Sequence, residues 1–207
     1  MTTALRKHLR SALAATLTAL LTAVPLWAQA LDYHVTIDTT PLAGTSGYLA
    51  LDLLGGTPGT TNTVVVSAFS GPLTLGAVTL TGGATGALPG PVTLTSGSFF
   101  NEYLQAVGFA AGVIQFDLSI TNHYAPGDTP DQFALFLLDA TLQPLGSSDP
   151  SGAGALLVVD LVSAPSIQVY SSPSATATVS AVPEPANAGL MLMGGLGLWA
   201  WRRVRRS

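Results

Sequence analysis

Between residues 32 and 170 no apolar stretch of this chain runs far before a cluster of Gly, Pro, Ser or Thr cuts it, and this punctuation restricts the fold more than any other feature. The clusters "GGTPGTTN", "TGGATGALPGP", "YAPGDTP" and "GSSDPSGAG" are rich in residues that accept turn geometry. Between them the pattern has period two. "DYHVTID" sets Tyr33, Val35 and Ile37 against Asp32, His34, Thr36 and Asp38, and "VIQFDLSI" sets Ile114, Phe116, Leu118 and Ile120 against Gln115, Asp117 and Ser119. Further strands are predicted at Tyr48 to Leu54, Thr63 to Phe69, Thr74 to Leu80, Leu104 to Phe109, Gln132 to Asp139, Leu156 to Val162 and Ser166 to Tyr170. Short strands, Gly/Pro turns and no amphipathic helix predict an all-β chain: a single antiparallel β-sandwich, jelly-roll-like, with a closed barrel as the alternative. "FALFLL" and "LLVVDLV" are apolar on both faces. That pattern suits central strands whose outer face a loop covers, and an assembly interface reads the same way.

The 207 residues leave room for one domain and accessory segments. Hydrophobic residues make up 48% of the chain and charged residues 9%, with long apolar runs only at the two ends. Without cysteine, neither a disulfide nor a thiolate metal site is available, so the core alone must hold the fold. All seven basic residues lie at the ends: Arg6, Lys7, Arg10, Arg202, Arg203, Arg205 and Arg206. Residues 31–181 keep ten carboxylates, Asp32, Asp38, Asp52, Glu102, Asp117, Asp128, Asp131, Asp139, Asp149 and Asp160, with His34 and His123 as their only cationic candidates. Nucleic acid and anionic membrane surfaces are excluded as partners, because binding phosphate requires Lys or Arg to displace counterions.

The ends read as addresses. Residues 1–30 have a basic start, an apolar helix from Ser11 to Val24, the breaker Pro25, and small residues at Ala28 and Ala30 that fit signal peptidase. Leu31 becomes the first mature residue, and the sandwich is expected over 31–170. "SSPSATATVSA", residues 171–181, has nothing large to bury and reads as a flexible linker. In residues 182–207, Pro183-Glu184-Pro185 is stiff and non-helical. An apolar helix from Ala188 to Trp201 follows, a short transmembrane segment stopped by Arg202, Arg203, Arg205 and Arg206 on the cytoplasmic side.

Chemistry is thin between these ends. No G-x-S-x-G elbow is present. In "TNHYAPGDTPD", His123 with Asp128 and Asp131 is a base and its orienter on one reading, and a polar loop with turn-capping Asp residues on the other. Glu102 and Asp117 are the carboxylates available for glycoside hydrolysis, although nothing in the sequence sets their separation. Zinc has only His34 and His123 besides carboxylates, and calcium finds acids spread singly with no D-x-[DN]-x-[DN]-G loop. The three Trp lie in the end segments, which leaves Tyr33, Tyr48, Tyr103, Tyr124, Tyr170 and the Phe residues to stack on sugars or to pack the core. No catalytic residue, metal or cofactor is expected.

Val182-Pro183-Glu184-Pro185, the short apolar helix and the terminal Arg cluster resemble, in that order, the PEP-CTERM sorting signal of Gram-negative bacteria, over about the last 26 residues. This C-terminal region is also found on some ice-binding proteins. The resemblance implies recognition of Pro183, Glu184 and Pro185 by an exosortase, transient anchoring in the inner membrane through the C-terminal helix, and delivery to the cell surface or extracellular matrix. It also implies a partner in exopolysaccharide. "YHVTIDTTPLAGTSGYLALDLLGG", "SFFNEYLQ" and "TPDQFALFLLD" are similar to PEP-CTERM proteins with no assigned activity, which implies a single β domain with a structural or adhesive role. A secreted carbohydrate-binding module or hydrolase with the same tail is the alternative.

Overall fold

A computed structural model describes residues 29–182 and, in the tail, Gly194. The predicted signal helix and transmembrane helix lie outside the described residues. Among the described residues no helix is long and apolar enough to cross a membrane.

The described chain is all-β. Its strands are β1 (Gln29–Asp38), β2 (Ser46–Leu54), β3 (Thr63–Ser70), β4 (Leu73–Thr81), β5 (Gly83–Gly86), β6 (Val92–Thr95), β7 (Phe100–Phe109), β8 (Val113–Asn122), β9 (Asp131–Asp139), β10 (Leu157–Leu161), β11 (Ser166–Val169) and β12 (Thr176–Ala181), with one 3-10 turn at Thr40–Leu42. They form two six-stranded antiparallel sheets: a front sheet in the order β12-β1-β8-β3-β6-β5 and a back sheet in the order β11-β10-β9-β2-β7-β4. Only β5–β6 and β9–β10–β11 follow one another within a sheet; every other link crosses between the two sheets.

Alternation explains which face of each strand is dry. Val35 and Ile37 of β1, Val64 and Val66 of β3, Val92 and Leu94 of β6 and Ile114, Phe116, Leu118 and Ile120 of β8 point inward from the front sheet. Leu49, Leu51 and Leu53, Tyr103 and Val107, Phe133, Leu135 and Leu137, with Leu157, Val159 and Leu161, meet them from the back sheet. Burying each of the larger side chains stabilises the fold by about 1.5–3 kcal/mol. Two bulges reset the alternation. In β3 the register shifts between Ser67 and Ser70, with Ala68 at φ +51°, so Phe69 turns inward after Val64 and Val66 and stacks on Phe116 with ring centroids 6.4 Å apart. In β4 the register shifts between Leu75 and Val78.

Three inward side chains of β7 are polar. The hydroxyl of Tyr103 donates to Oε1 of Gln105 and accepts from the Leu88 amide at 3.0 Å, while Gln105 Nε2 donates to the Gly76 carbonyl at the β4 bulge. Asn101 bonds Leu53 O and Ser98 O through its amide nitrogen and receives Gly83 N at 2.8 Å. Each satisfies backbone groups that irregular geometry removed from the ladders. The crossing from β4 to β5 turns on Gly82 at φ +60°, where a Cβ would sit 2.4 Å from Phe100 O, so glycine is required on both counts.

Three sequence expectations change. The segment expected as a flexible linker contains β12, whose Thr176, Thr178 and Ser180 pair with Asp38, Thr36 and His34 while Ala175 and Ala177 are buried. A strand at the edge of a sheet needs only backbone pairing and small inward residues, so its composition does not set it apart from a linker. The cluster "TGGATGALPGP" conceals β5, which buries only Ala84, and β6 follows it unannounced. Finally, β7 starts at Phe100, four residues ahead of the predicted strand.

Candidate functional site

The outer faces differ in kind. The front sheet presents hydroxyls and charges: Thr36, Thr178, Ser180, His34, Asp117, Asp32, Ser119, Thr93, Thr85, Thr63, Thr95 and Thr121 occupy its outward register. His34 Nδ1 lies 2.8 Å from Asp117 Oδ1, across the β1–β8 ladder.

The back sheet presents apolar side chains around a carboxylate pair. Outward positions of β2 are Tyr48, Ala50, Asp52 and Leu54, with Leu138, Phe136, Ala134 and Gln132 opposite them on β9 and Ala106, Leu104, Glu102 and Phe100 on β7. Ala50, Ala134 and Leu138 are buried by these neighbours. Part of the face is covered as the two-sided strands predicted. After β9 the chain turns back, Leu145 N bonding Leu137 O, and residues 146–155 then pass over Ala134 and Val158, onto which Ala155 packs. Asp149 organises that excursion, its carboxylate receiving Ser151 N, Ser151 Oγ, Gly154 N and Ala155 N. Burial raises the Asp149 carboxyl, and the hydrogen bonds from Ser151, Ala155 and Gly154 together outweigh it and hold the group below its ordinary value.

The centre of the face holds two acids. Asp52 and Glu102 stand directly opposite in the β2–β7 register, and Asp52 Oδ1 is buried with no hydrogen-bond partner. Burial first, and the Glu102 charge second, push the Asp52 carboxyl up to about 7; burial raises Glu102 as well. One row below lie Leu54 and Phe100, and Phe99 beyond them is 77% exposed. At the other end of β7 a groove of about 340 Å³ opens over Ala106, Gly108 and Gly76, with Tyr48, Ser46 and Thr74 in its lining.

The residues singled out in the sequence distribute differently. Glu102 and Asp117 point outward from opposite sheets, because β7 belongs to the back and β8 to the front, and the core separates them; the carboxylate facing Glu102 is Asp52. His123 is exposed, and both its backbone N and its Nδ1 meet Asn62 Oδ1, at 2.8 and 3.2 Å. Asn62 Nδ2 in turn donates to Asp131 Oδ2 at 2.9 Å, and Asp131 Oδ1 accepts Gly56 N, so Asn62 stands between the expected base and its orienter. Asp128 closes its own turn by accepting Ala125 N. The buried group Asn62–Ser96–Asp131 ties the entry to β3 and the exit of β6, on the front sheet, to the start of β9 on the back. Among the described residues no three His, Asp or Glu side chains converge as metal ligands. Val182 bonds Asp32 O through its backbone N; the sorting residues Pro183, Glu184 and Pro185, the four terminal Arg, and the side chains of Ala28 and Ala30 lie outside what is described.

Asp52 and the Phe99–Phe100 pair were missed in the sequence. Their signals were present: a lone acid inside "LALDLL" and two adjacent Phe in a Ser/Gly loop. The fold and face define an all-β protein of two antiparallel sheets with one hydroxylated and one apolar, acid-centred surface. In comparisons with known proteins no family model, no curated protein and no solved structure matches the chain.

Proposed function

We propose that this chain is an exported, non-enzymatic protein of the cell surface or matrix, addressed by its C-terminal sorting signal and working structurally or adhesively beside exopolysaccharide. The observation that carries this reading is the order of parts in residues 182–207: Val182-Pro183-Glu184-Pro185, an apolar run, then four Arg. The repeated crossing between sheets fits a jelly-roll-like sandwich of the kind that serves as a binding or building module.

Two features of the fold support it. Signal peptidase would cut after Ala30, inside β1, and the exosortase would act just beyond β12; because β1 and β12 pair antiparallel, these two places lie at one corner of the front sheet. One corner therefore faces the membrane through both processing steps. The dispersal of His123, Asp128 and Asp131 into turn-closing and inter-sheet bonds favours a binding role over catalysis.

The test replaces Pro183-Glu184-Pro185 by three alanines and compares mass and fractionation in hosts with and without exosortase. Wild type should lose its Arg tail and reach the matrix only in the exosortase host, whereas the triple variant should stay longer and membrane-bound. Equal processing of both proteins overturns the assignment.

A further inference from the structure

The outer face of the back sheet carries a groove at one end of β7, the acidic pair at its middle and an exposed aromatic ring at the other end. Along β7 the outward positions run from Phe100 through Glu102, Leu104 and Ala106 to Gly108, a span of about 27 Å at the rise of a strand. At one end the groove has a floor of Ala106, Gly108 and Gly76, which lets a flat ring approach the backbone, and Tyr48 stands beside it. At the other end Phe100 is 38% exposed. Tyr48 and the Leu54–Phe100 row are six residues apart along β2, about 20 Å, the reach of a short oligosaccharide. Between the two rings lies the Asp52–Glu102 pair with its unpartnered buried oxygen.

Charge selects the ligand. The described residues contain ten carboxylates and no Lys or Arg, so neither an acidic polysaccharide nor a second copy of this face finds a cation here. An ammonium group finds Glu102 and Asp52 facing each other across the β2–β7 ladder, and a hydrogen bond to an ionised carboxylate is stronger than a neutral one. Sugar rings present C–H faces that stack on Tyr and Phe, and a narrow track fits a chain of such rings better than the broad apolar core of a protein interface. We propose that this track binds an amine-bearing polysaccharide, with sugar rings on Tyr48 and Phe100 and an ammonium received by Asp52 and Glu102 between them. The proposal rests on the exopolysaccharide reading above and names the class of polymer.

The test is calorimetric titration of the full chain, in mild detergent at pH 7, with a glucosamine hexamer, its N-acetylated counterpart, a dextran oligomer and an alginate oligomer. The glucosamine hexamer should bind at least about tenfold more tightly than the other three. Asp52→Asn combined with Glu102→Gln should weaken it by about tenfold or more. Gly108→Ala, whose Cβ meets Thr74 only at an ordinary 3.5 Å, should weaken it by raising the groove floor without disturbing the fold. Asp32→Asn with Asp117→Asn removes the same charge from the front sheet and should leave affinity within about twofold. An equal loss in that control, equal binding of the N-acetylated hexamer, or no binding of the glucosamine hexamer overturns the proposal. So does capture of a basic matrix protein that depends on Asp52 and Glu102 in place of glycan binding. A chain that is processed and delivered but ignores glucosamine refutes the track alone; one that binds but is not processed refutes only the address.

Discussion

The two sheets share a core and an alternation rule, yet their outer faces obey different constraints. On the front sheet the outward residues are polar from Asp32 to Asp38 of β1 and from Gln115 to Thr121 of β8, and the face is satisfied by water and by cross-strand hydroxyl contacts such as Thr36 with Thr178. On the back sheet β2 and β9 are apolar on both sides, and Ala50, Ala134 and Leu138 are buried although they point away from the core. The front face can thus accept change at most positions. The back face is a second, thinner packing layer, part of it covered by residues 146–155 and part left around Asp52 and Glu102.

The sharpest way to break this contrast is to put the same charge on each face. Ala50→Asp places a carboxylate in a buried position beside Asp52 and should cost about 3 kcal/mol or more, since burial and a like charge act together. Thr93→Asp, half-exposed between Val65 and Thr85 on the front, should cost less than about 1 kcal/mol. Thermal melts of the two variants measure the difference, and equal costs would show that the back face is no packing layer. Next in size is the tie between the sheets. Asp131→Ala leaves Gly56 N and Asn62 Nδ2 without their acceptor in a buried site and should cost about 2–4 kcal/mol. Asp149→Ala, which releases the loop covering Ala134 and Val158, should cost about 1–3 kcal/mol and increase proteolysis within residues 146–155.

The same contrast sets how much could be read from the sequence. Front strands β1 and β8 announced themselves because their outer face is wet, so apolar and polar residues alternate from Asp32 to Asp38 and from Ile114 to Ile120. Back strands β2, β9 and β10 were found by their apolar runs and turn boundaries, and the packing of Ala155 on Ala134 and Val158 matches the covering loop, one of the two readings that the two-sided runs of β9 and β10 allowed. Composition failed where packing is minimal. β5 buries one Ala, β12 buries Ala177, and neither has a side chain large enough to register in a pattern. The carboxylate pair depends on a register linking residues 52 and 102, and the alternation of either strand leaves that register open. Likewise His123 and Asp131 are eight positions apart in sequence, but their actual link, Asn62, comes from a distant turn.

A pH titration sharpens the comparison with a smaller effect. Asp52 ionises near 7 in the fold, well above an unfolded carboxyl, so the folded state holds a proton that the unfolded state has released. The stability associated with that proton is complete below about pH 4 and is lost as pH rises through about 7. Asp52→Asn keeps the shape without the charge. At pH 8 it should stabilise the fold by about 1–2 kcal/mol, a figure that allows for solvent screening of half-exposed Glu102. At pH 4 it should have little effect. Denaturant midpoints at the two pH values test this, and a gain that is equal at both would remove the charge from the explanation.

The smallest effect belongs to the one ion pair among the described residues. His34 and Asp117 meet at 2.8 Å, but their side chains are 41% and 50% exposed, so water competes for both partners and salt screens what attraction remains. His34→Gln should change stability by less than about 0.5 kcal/mol, and adding salt should shrink even that. Because β1 and β8 are held by ten paired positions and by Val35, Ile37, Phe116 and Leu118 beneath, the pair decorates a ladder that stands without it. A loss above about 1 kcal/mol in a denaturant melt would mean that the front face also depends on its outer side chains. The two faces would then differ in chemistry while resembling each other in how much of the fold they carry.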